Sequence, residues 1–227
     1  MMLPVIVTRP EPGNAATVAR ARAAGLDAFA MPLFAAVPIE WRPPDAGDYD
    51  ALLLTSAQAV RLAGSGLDRL VSLPVHAVGA ASAAAAEAAG LRVAATGTRD
   101  AQALIDAMTS SGKPRILWLC GRERSDFDAR GARLDALPCY AVDPVAPPPG
   151  WDRLTGDSAV ILAHSARGAA RIATLTEGRR GRLSLVAIGP AVAEAAGEGW
   201  AAVTVTDRPE DAAMVTAAYA LCQKAQK

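Results

Sequence analysis

Two hydroxyl pairs stand where residue type and position could do chemistry. Thr55-Ser56 closes the apolar run Ala51–Leu54, and His164-Ser165 closes Val160–Ala163. Where a strand ends and a helix opens, free N–H groups and the helix dipole point outward. A hydroxyl beside them makes a pocket for an anion or a carboxylate. Ordinary N-capping uses the same hydroxyls with no ligand. Residue type alone favours capping, and the repetition of the pair narrows that preference. Gly79 and Gly189 each follow an apolar run and precede a helix, which allows a tight turn or a close approach of ligand to backbone. Neither lies in a G-x-G-x-x-G, and no G-x-x-x-x-G-K-[ST] occurs, which argues against a dinucleotide site and a nucleotide triphosphatase. Arg9, Arg122, Arg124 and Arg167 fall in strand-to-helix loops and together could clamp a polyanion. For any one of them a solvated loop charge is the simpler account. Tyr140, on an extended segment, could serve as a weak general acid. Its counterpart Phe34 only packs, which favours packing for both. His76 and His164 are the only histidines. His164 has no obvious acidic partner, there is no G-x-S-x-G, and no metal-ligand spacing occurs.

The elements that must position these residues alternate between strand and helix. Pro4 to Thr8 reads as a strand, then Asn14 as the N-cap of a helix through Ala24, stopped by Gly25. Strands follow at Asp27 to Phe34, Tyr49 to Leu54, His76 to Val78, Leu91 to Ala95 and Arg115 to Cys120, with helices between them. A polar loop, Gly121 to Asp126, leads into a predicted helix ending near Gly131. After a long extended segment, Leu134 to Val145, come a Pro-rich linker and strands at Ala159 to Ala163, Leu183 to Ile188 and Ala201 to Val205. The last helix runs from Pro209-Glu210 to Lys224. Such alternation predicts parallel sheets covered on both faces, with ligands at the carboxyl ends of the strands.

The second half of the chain re-reads the first. Gly25–Ala35 is echoed by Gly131–Ala141, and both continue to a second proline, Pro38 and Pro144. Ala51–Ala59 is answered by Val160–Gly168, and His76–Ala80 by Val186–Pro190. Two copies of one small α/β unit, cut near residue 112 and flanking a cleft, are the first reading.

Composition narrows the class. Formal net charge is zero, which argues against non-specific nucleic-acid binding. Positive charge is nearly all arginine, which forks onto carboxylates and phosphates, although a GC-rich genome explains that bias as well. No apolar run approaches the roughly 20 residues of a membrane span. The N-terminus lacks a basic n-region and a cleavage site. Cys120, Cys139 and Cys222 are scattered and odd in number, so a reducing, cytoplasmic setting is expected.

Val7-Thr8-Arg9-Pro10, Leu54-Thr55-Ser56 with Ala59-Val60, Ala77-Val78-Gly79, Cys120-Gly121, Pro138-Cys139-Tyr140 and Ala187-Ile188-Gly189-Pro190 occur in an order that resembles the uroporphyrinogen-III synthase family. The resemblance covers nearly the whole chain. It implies an α/β fold of two flavodoxin-like parallel-sheet lobes joined by a two-stranded ladder, with a substrate cleft between the lobes. The repeat then regroups: residues 1–34 plus 147–227 form one discontinuous lobe, 42–137 the other, and 35–41 and 138–146 are the connecting strands. The implied reaction is cyclisation of hydroxymethylbilane to uroporphyrinogen III with inversion of ring D and loss of water. By the same resemblance no metal or organic cofactor is used, Tyr140 is the catalytic acid, and Thr55, Ser56, Gly79, Ala80, Gly121, Ser165, Gly189 and Pro190 line the site. Arg9, Arg122 and Arg167 are apt partners for the substrate's carboxylates. A monomer is expected, in transient contact with hydroxymethylbilane synthase, with no nucleic acid and no membrane as partner. His164-Ser165-Ala166-Arg167 and Ala80 depart from the family's usual residues. A non-catalytic two-lobed binder of tetrapyrroles or another small ligand stands as the alternative.

Overall fold

Short apolar runs ended by glycine or a hydroxyl set the architecture. Gly25 (φ 81°) and Gly90 (φ 79°) take the left-handed conformation that stops a helix and returns the chain to a strand. The computed structural model describes residues 3–98, 100–110, 112 and 114–224. Met1 and Met2, which belong to the N-terminal reading above, lie outside them. In chain order the elements are β1 (Val5–Val7), α1 (Gly13–Ala23), β2 (Ala28–Ala30), β3 (Phe34–Pro38), β4 (Ala51–Leu54), α2 (Ala57–Leu62), β5 (Val75–Val78), α3 (Ala80–Ala88), β6 (Val93–Gly97) and α4 (Ala101–Thr109). Then come β7 (Arg115–Gly121), β8 (Arg133–Pro144), α5 (Trp151–Thr155), β9 (Ala159–Ala163), α6 (Ala166–Leu175), β10 (Leu183–Ala187), α7 (Pro190–Ala196), β11 (Ala202–Val205) and α8 (Asp211–Lys224).

The chain divides into two compact units, one comprising the residues up to Ala35 together with Pro144 onward, the other Ala36–Asp143. The first unit holds a parallel sheet in the order β11-β10-β9-β1-β2. Val5, Val7, Val160, Leu162 and Val186 pack from one face onto Val18 and Ala21 of α1 and Met214, Val215 and Ala218 of α8. The alternate residues Ile6 and Ile161 are fully buried as well, as a strand covered on both faces requires.

The second unit's sheet runs β3-β8-β7-β4-β5-β6. From β8 to β6 every pairing is parallel. β3 lies at the edge, the position a strand containing Pro38 tolerates. Alternation along β4 sends Leu52 and Leu54 into one core with Val60 and Ala63. Leu53 goes into another, with Ile116, Trp118, Leu104 and Ile105.

Both sheets share one strand order once β9, β10, β11, β1 and β2 are matched to β4, β5, β6, β7 and β8. The registers agree. Ala51 pairs with Ile116 where Val160 pairs with Val5, which makes Thr55 and His164 counterparts. Leu134 pairs with Ile116 where Ala28 pairs with Val5, which makes Tyr140 and Phe34 counterparts. The repeat in the sequence is therefore one sheet entered at two different strands, and the division near residue 112 gives way to the one above.

Two local expectations are corrected, and one element is added. No helix forms between Asp126 and Gly131. Asp128 and Arg130 instead bond to Gln102 and Asp106 of α4, and Arg130 takes φ 53°. Asn14 lies inside α1, not at its cap, and its amide nitrogen donates to the Val7 and Arg9 carbonyls at 2.9 and 2.8 Å. The short helix α5, after Gly150 at φ 92°, was not anticipated.

Candidate active site

In the second unit Thr55 and Ser56 carry the chain from β4 into α2. Ser56 is extended, and its Oγ accepts the Gln58 N–H at 3.2 Å, so it caps α2. Thr55 Oγ1 accepts the Trp118 indole N–H at 3.1 Å, which leaves the hydroxyl's own hydrogen to give. Trp118 is held in turn by Phe127, ring centroids 4.9 Å apart, and the Arg124 guanidinium lies 6.0 Å from its ring centroid.

Tyr140 reaches this strand end through a bulge. Cys120 pairs with Pro138 but Gly121 pairs with Tyr140, so Cys139 is an extra residue and the next side chain is re-aimed. The Cys139 thiol is buried against the Ala59 and Cys120 carbonyls at 3.5 and 3.7 Å. Burial pushes the Cys120 thiol up to about 11 and the Cys139 thiol up to about 12, so neither is a ready nucleophile. The Tyr140 ring lies against Gly121. A Cβ there would stand 2.9 Å from Cζ and 3.1 Å from the phenol oxygen, closer than side chains pack. Burial raises the phenol's pKa, and the influence of the Ser56 hydroxyl opposes the rise. The tyrosine is therefore protonated at neutral pH. Arg122 donates its backbone N–H to the Tyr140 carbonyl at 2.8 Å, while its guanidinium pairs with Glu123 at 3.0 Å and Asp143 at 2.5 Å. One strand over, Gly79 takes φ 79°, ψ 154°, a conformation almost confined to glycine, and opens α3 at Ala80. A Cβ at Gly79 would meet nothing within 4 Å, so the space beside this turn is open.

In the first unit the same strand ends are charged. Ser165 caps α6, its Oγ accepting the Gly168 N–H at 3.0 Å. His164 Nε2 lies 3.1 Å from Asp211 Oδ1, so the last helix supplies the acidic partner that the sequence did not reveal. Asp211 also accepts the Thr17 hydroxyl at 2.6 Å, pairs with Arg20, and lies 3.6 Å from Arg9 Nη1. Burial and the Arg9 charge push His164 down to about 4, so it is neutral at pH 7. Arg9, half-buried and beside Arg20, has its pKa lowered by burial first and by that like charge second. Gly189, the counterpart of Gly79, is extended (φ −173°) and leads into Pro190 at the first turn of α7. Phe34 stands where Tyr140 does in the other unit, with the Arg167 and Arg171 guanidiniums 4.9 and 5.7 Å from its ring centroid.

The sequence-predicted residues thus gather at two sets of strand ends. Thr55, Ser56, Gly121, Arg122 and Tyr140 are linked directly, with Gly79 and Ala80 at the adjoining strand. Arg9 meets His164 through Asp211, whereas Arg167 lies on α6 over Phe34. Trp118, Asp211, Thr17 and Arg20 were missed. A model of the family described as HEM4, uroporphyrinogen-III synthase HemD, matches residues 15–216.

The chain belongs to the uroporphyrinogen-III synthase family. Its function is to cyclise hydroxymethylbilane to uroporphyrinogen III with inversion of ring D and loss of water, a lyase step of tetrapyrrole biosynthesis. The fold is similar to that of the uroporphyrinogen-III synthetase of Helicobacter pylori, with TM-score 0.63 and 14% identity over 97% of this chain and 100% of that one. A mutant uroporphyrinogen III synthase from Thermus thermophilus aligns with TM-score 0.49 and 18% identity over 98% and 99% of the two chains. No curated protein sequence matches significantly. Among the described residues no helix is long and apolar enough to cross a membrane.

Proposed function

We propose that Tyr140 is the acid of the cyclisation and that the strand ends of both units hold the substrate. The observation that carries this is the Tyr140 phenol, protonated and packed against Gly121, with the Ser56 hydroxyl favouring its ionised form. Departure of water from the hydroxymethyl carbon needs a proton on the leaving oxygen while the pyrrole nitrogen pushes electrons toward that carbon. The phenol gives the proton, and the electrophile is attacked by the substituted carbon of ring D. The spiro intermediate fragments, recloses and loses a proton, which returns to the phenolate. The Ser56 hydroxyl favours the ionised form meanwhile. The remaining work is placement, so that ring D presents its substituted carbon.

The substrate's carboxylates suit the rest of the set. The Thr55 hydroxyl has a hydrogen to donate, the turns at Gly79-Ala80, Gly121 and Gly189-Pro190 bring backbone close, and Ser56 and Ser165 stand at helix starts. Arg9, Arg122 and Arg167 supply charge, Arg122 exchanging its partners Glu123 and Asp143 for substrate. The enzyme works as a monomer in the cytoplasm and takes hydroxymethylbilane in transient contact with the synthase that makes it. The scattered, odd-numbered cysteines support a reducing compartment. Light scattering of the purified protein tests the monomer. The activity is tested by supplying hydroxymethylbilane, oxidising the products and resolving the isomers. Type III in excess over the spontaneous type I isomer is expected; type I alone contradicts the reading.

A further inference from the structure

The first unit's charged cluster has an arrangement that the proton-transfer chemistry does not use. Its sheet order changes direction between β1 and β9, the crevice where doubly wound sheets take their ligands. Arg9 follows β1 and His164 follows β9 at this point. The Arg9 guanidinium lies across the first turn of α1. A Cβ at Gly13 would stand 2.5 Å from its Nε, 2.7 Å from Cζ and 2.8 Å from Nη2. From the other side Asp211 faces its Nη1 at 3.6 Å, longer than a hydrogen bond. Asp211 itself is fixed by Thr17, Arg20 and His164, and its side chain is only 17% exposed. The Arg9 side chain, at 34%, keeps access to solvent. Within this group two guanidiniums share one carboxylate, since His164 is neutral.

We propose that Gly13 and Asp211 are positioning residues that seat the Arg9 guanidinium, at the β1–β9 crevice, to receive one carboxylate of the substrate. The missing side chain at Gly13 is the seat, and Asp211 is the stop that sets the guanidinium's position without consuming its hydrogen-bonding capacity. The proposal rests on the reading of Arg9 as a substrate contact and adds what holds it.

Gly13→Ala separates this from a merely structural role. Alanine suits the first turn of a helix better than glycine, and the nearest atoms in its way are the far end of the arginine. Thermal stability is expected to hold or rise. KM for hydroxymethylbilane is expected to rise about tenfold, the loss of one charge-assisted contact, with kcat close to that of the natural protein. Asp211→Asn is expected to raise KM with some loss of stability, and Asp211→Glu to restore part of it. In Arg9→Ala, which itself raises KM, adding Gly13→Ala is expected to cost nothing further. If Gly13→Ala leaves KM unchanged, or if its effect adds in full to that of Arg9→Ala, the positioning role is wrong while the Arg9 contact stands. If Arg9→Ala itself leaves KM unchanged, the contact is wrong, and the positioning role falls with it.

Discussion

The two units present the same strand ends with opposite chemistry. Each has a serine capping the helix after its central strand, Ser56 and Ser165. Each uses a glycine without a Cβ as the seat of a long side chain, Gly121 under Tyr140 and Gly13 under Arg9. The residue before the cap is Thr55, tied to an indole, in one unit and His164, tied to a carboxylate, in the other. Where one has the Tyr140 phenol against a glycine, the other has Phe34 beneath two arginines. The difference separates a half that can give a proton from a half that can hold an anion. One frame occurs twice, and under the proposed roles a few counterpart positions divide the work.

The sharpest way to break that division is to exchange the counterparts. Tyr140→Phe is expected to lower kcat about a hundredfold, the usual scale of a lost general acid, with KM little changed. Phe34→Tyr, which adds a phenol to the anion-holding half, is expected not to restore it. Nearly full formation of the type III isomer by Tyr140→Phe would show that the phenol does not carry the proton. Gly121→Ala follows in size. It leaves the phenol in place chemically but lifts the ring, so kcat is expected to fall about tenfold. A smaller fall than in Tyr140→Phe, at the same KM, marks a loss of placement.

The smallest effect separates the two histidines. His164 has a folded pKa of about 4 against an ordinary 6.5, so between those values the unfolded chain binds more protons than the folded one. Its contribution is fully present above about pH 6.5 and is lost as pH falls toward 4, on the order of 3 kcal/mol in all. His164→Gln is expected to flatten that part of the stability profile, measured by chemical denaturation at pH 7 and pH 5. His76, half-buried on β5, is lowered by burial in the same direction, and His76→Gln is expected to flatten it less. Equal flattening by the two would mean that the charged half has no special hold on its histidine.

The sheets were legible in the sequence because their strands are short apolar runs, separated by helices that residues with backbone preferences of their own, such as Gly25 and Gly90, bring to a stop. The repeat identified the counterparts, and with them the places to look for chemistry. The predicted helix before Gly131 failed because its residues bond to side chains of α4 that lie 24 to 26 positions away. Asn14 carries a capping residue's side chain, yet its amide is spent on the end of β1. Asp211 gave no local signal at all. Its partners Thr17, Arg20 and His164 lie 194, 191 and 47 positions from it, and only the fold brings them together. Trp118 is a core side chain whose indole N–H also fixes Thr55.

Steady-state kinetics of Tyr140→Phe and Arg9→Ala, measured side by side with hydroxymethylbilane and scored by type III product, test the division of labour most directly. The account predicts that the first change falls on kcat and the second on KM. Both changes acting on the same parameter would contradict it.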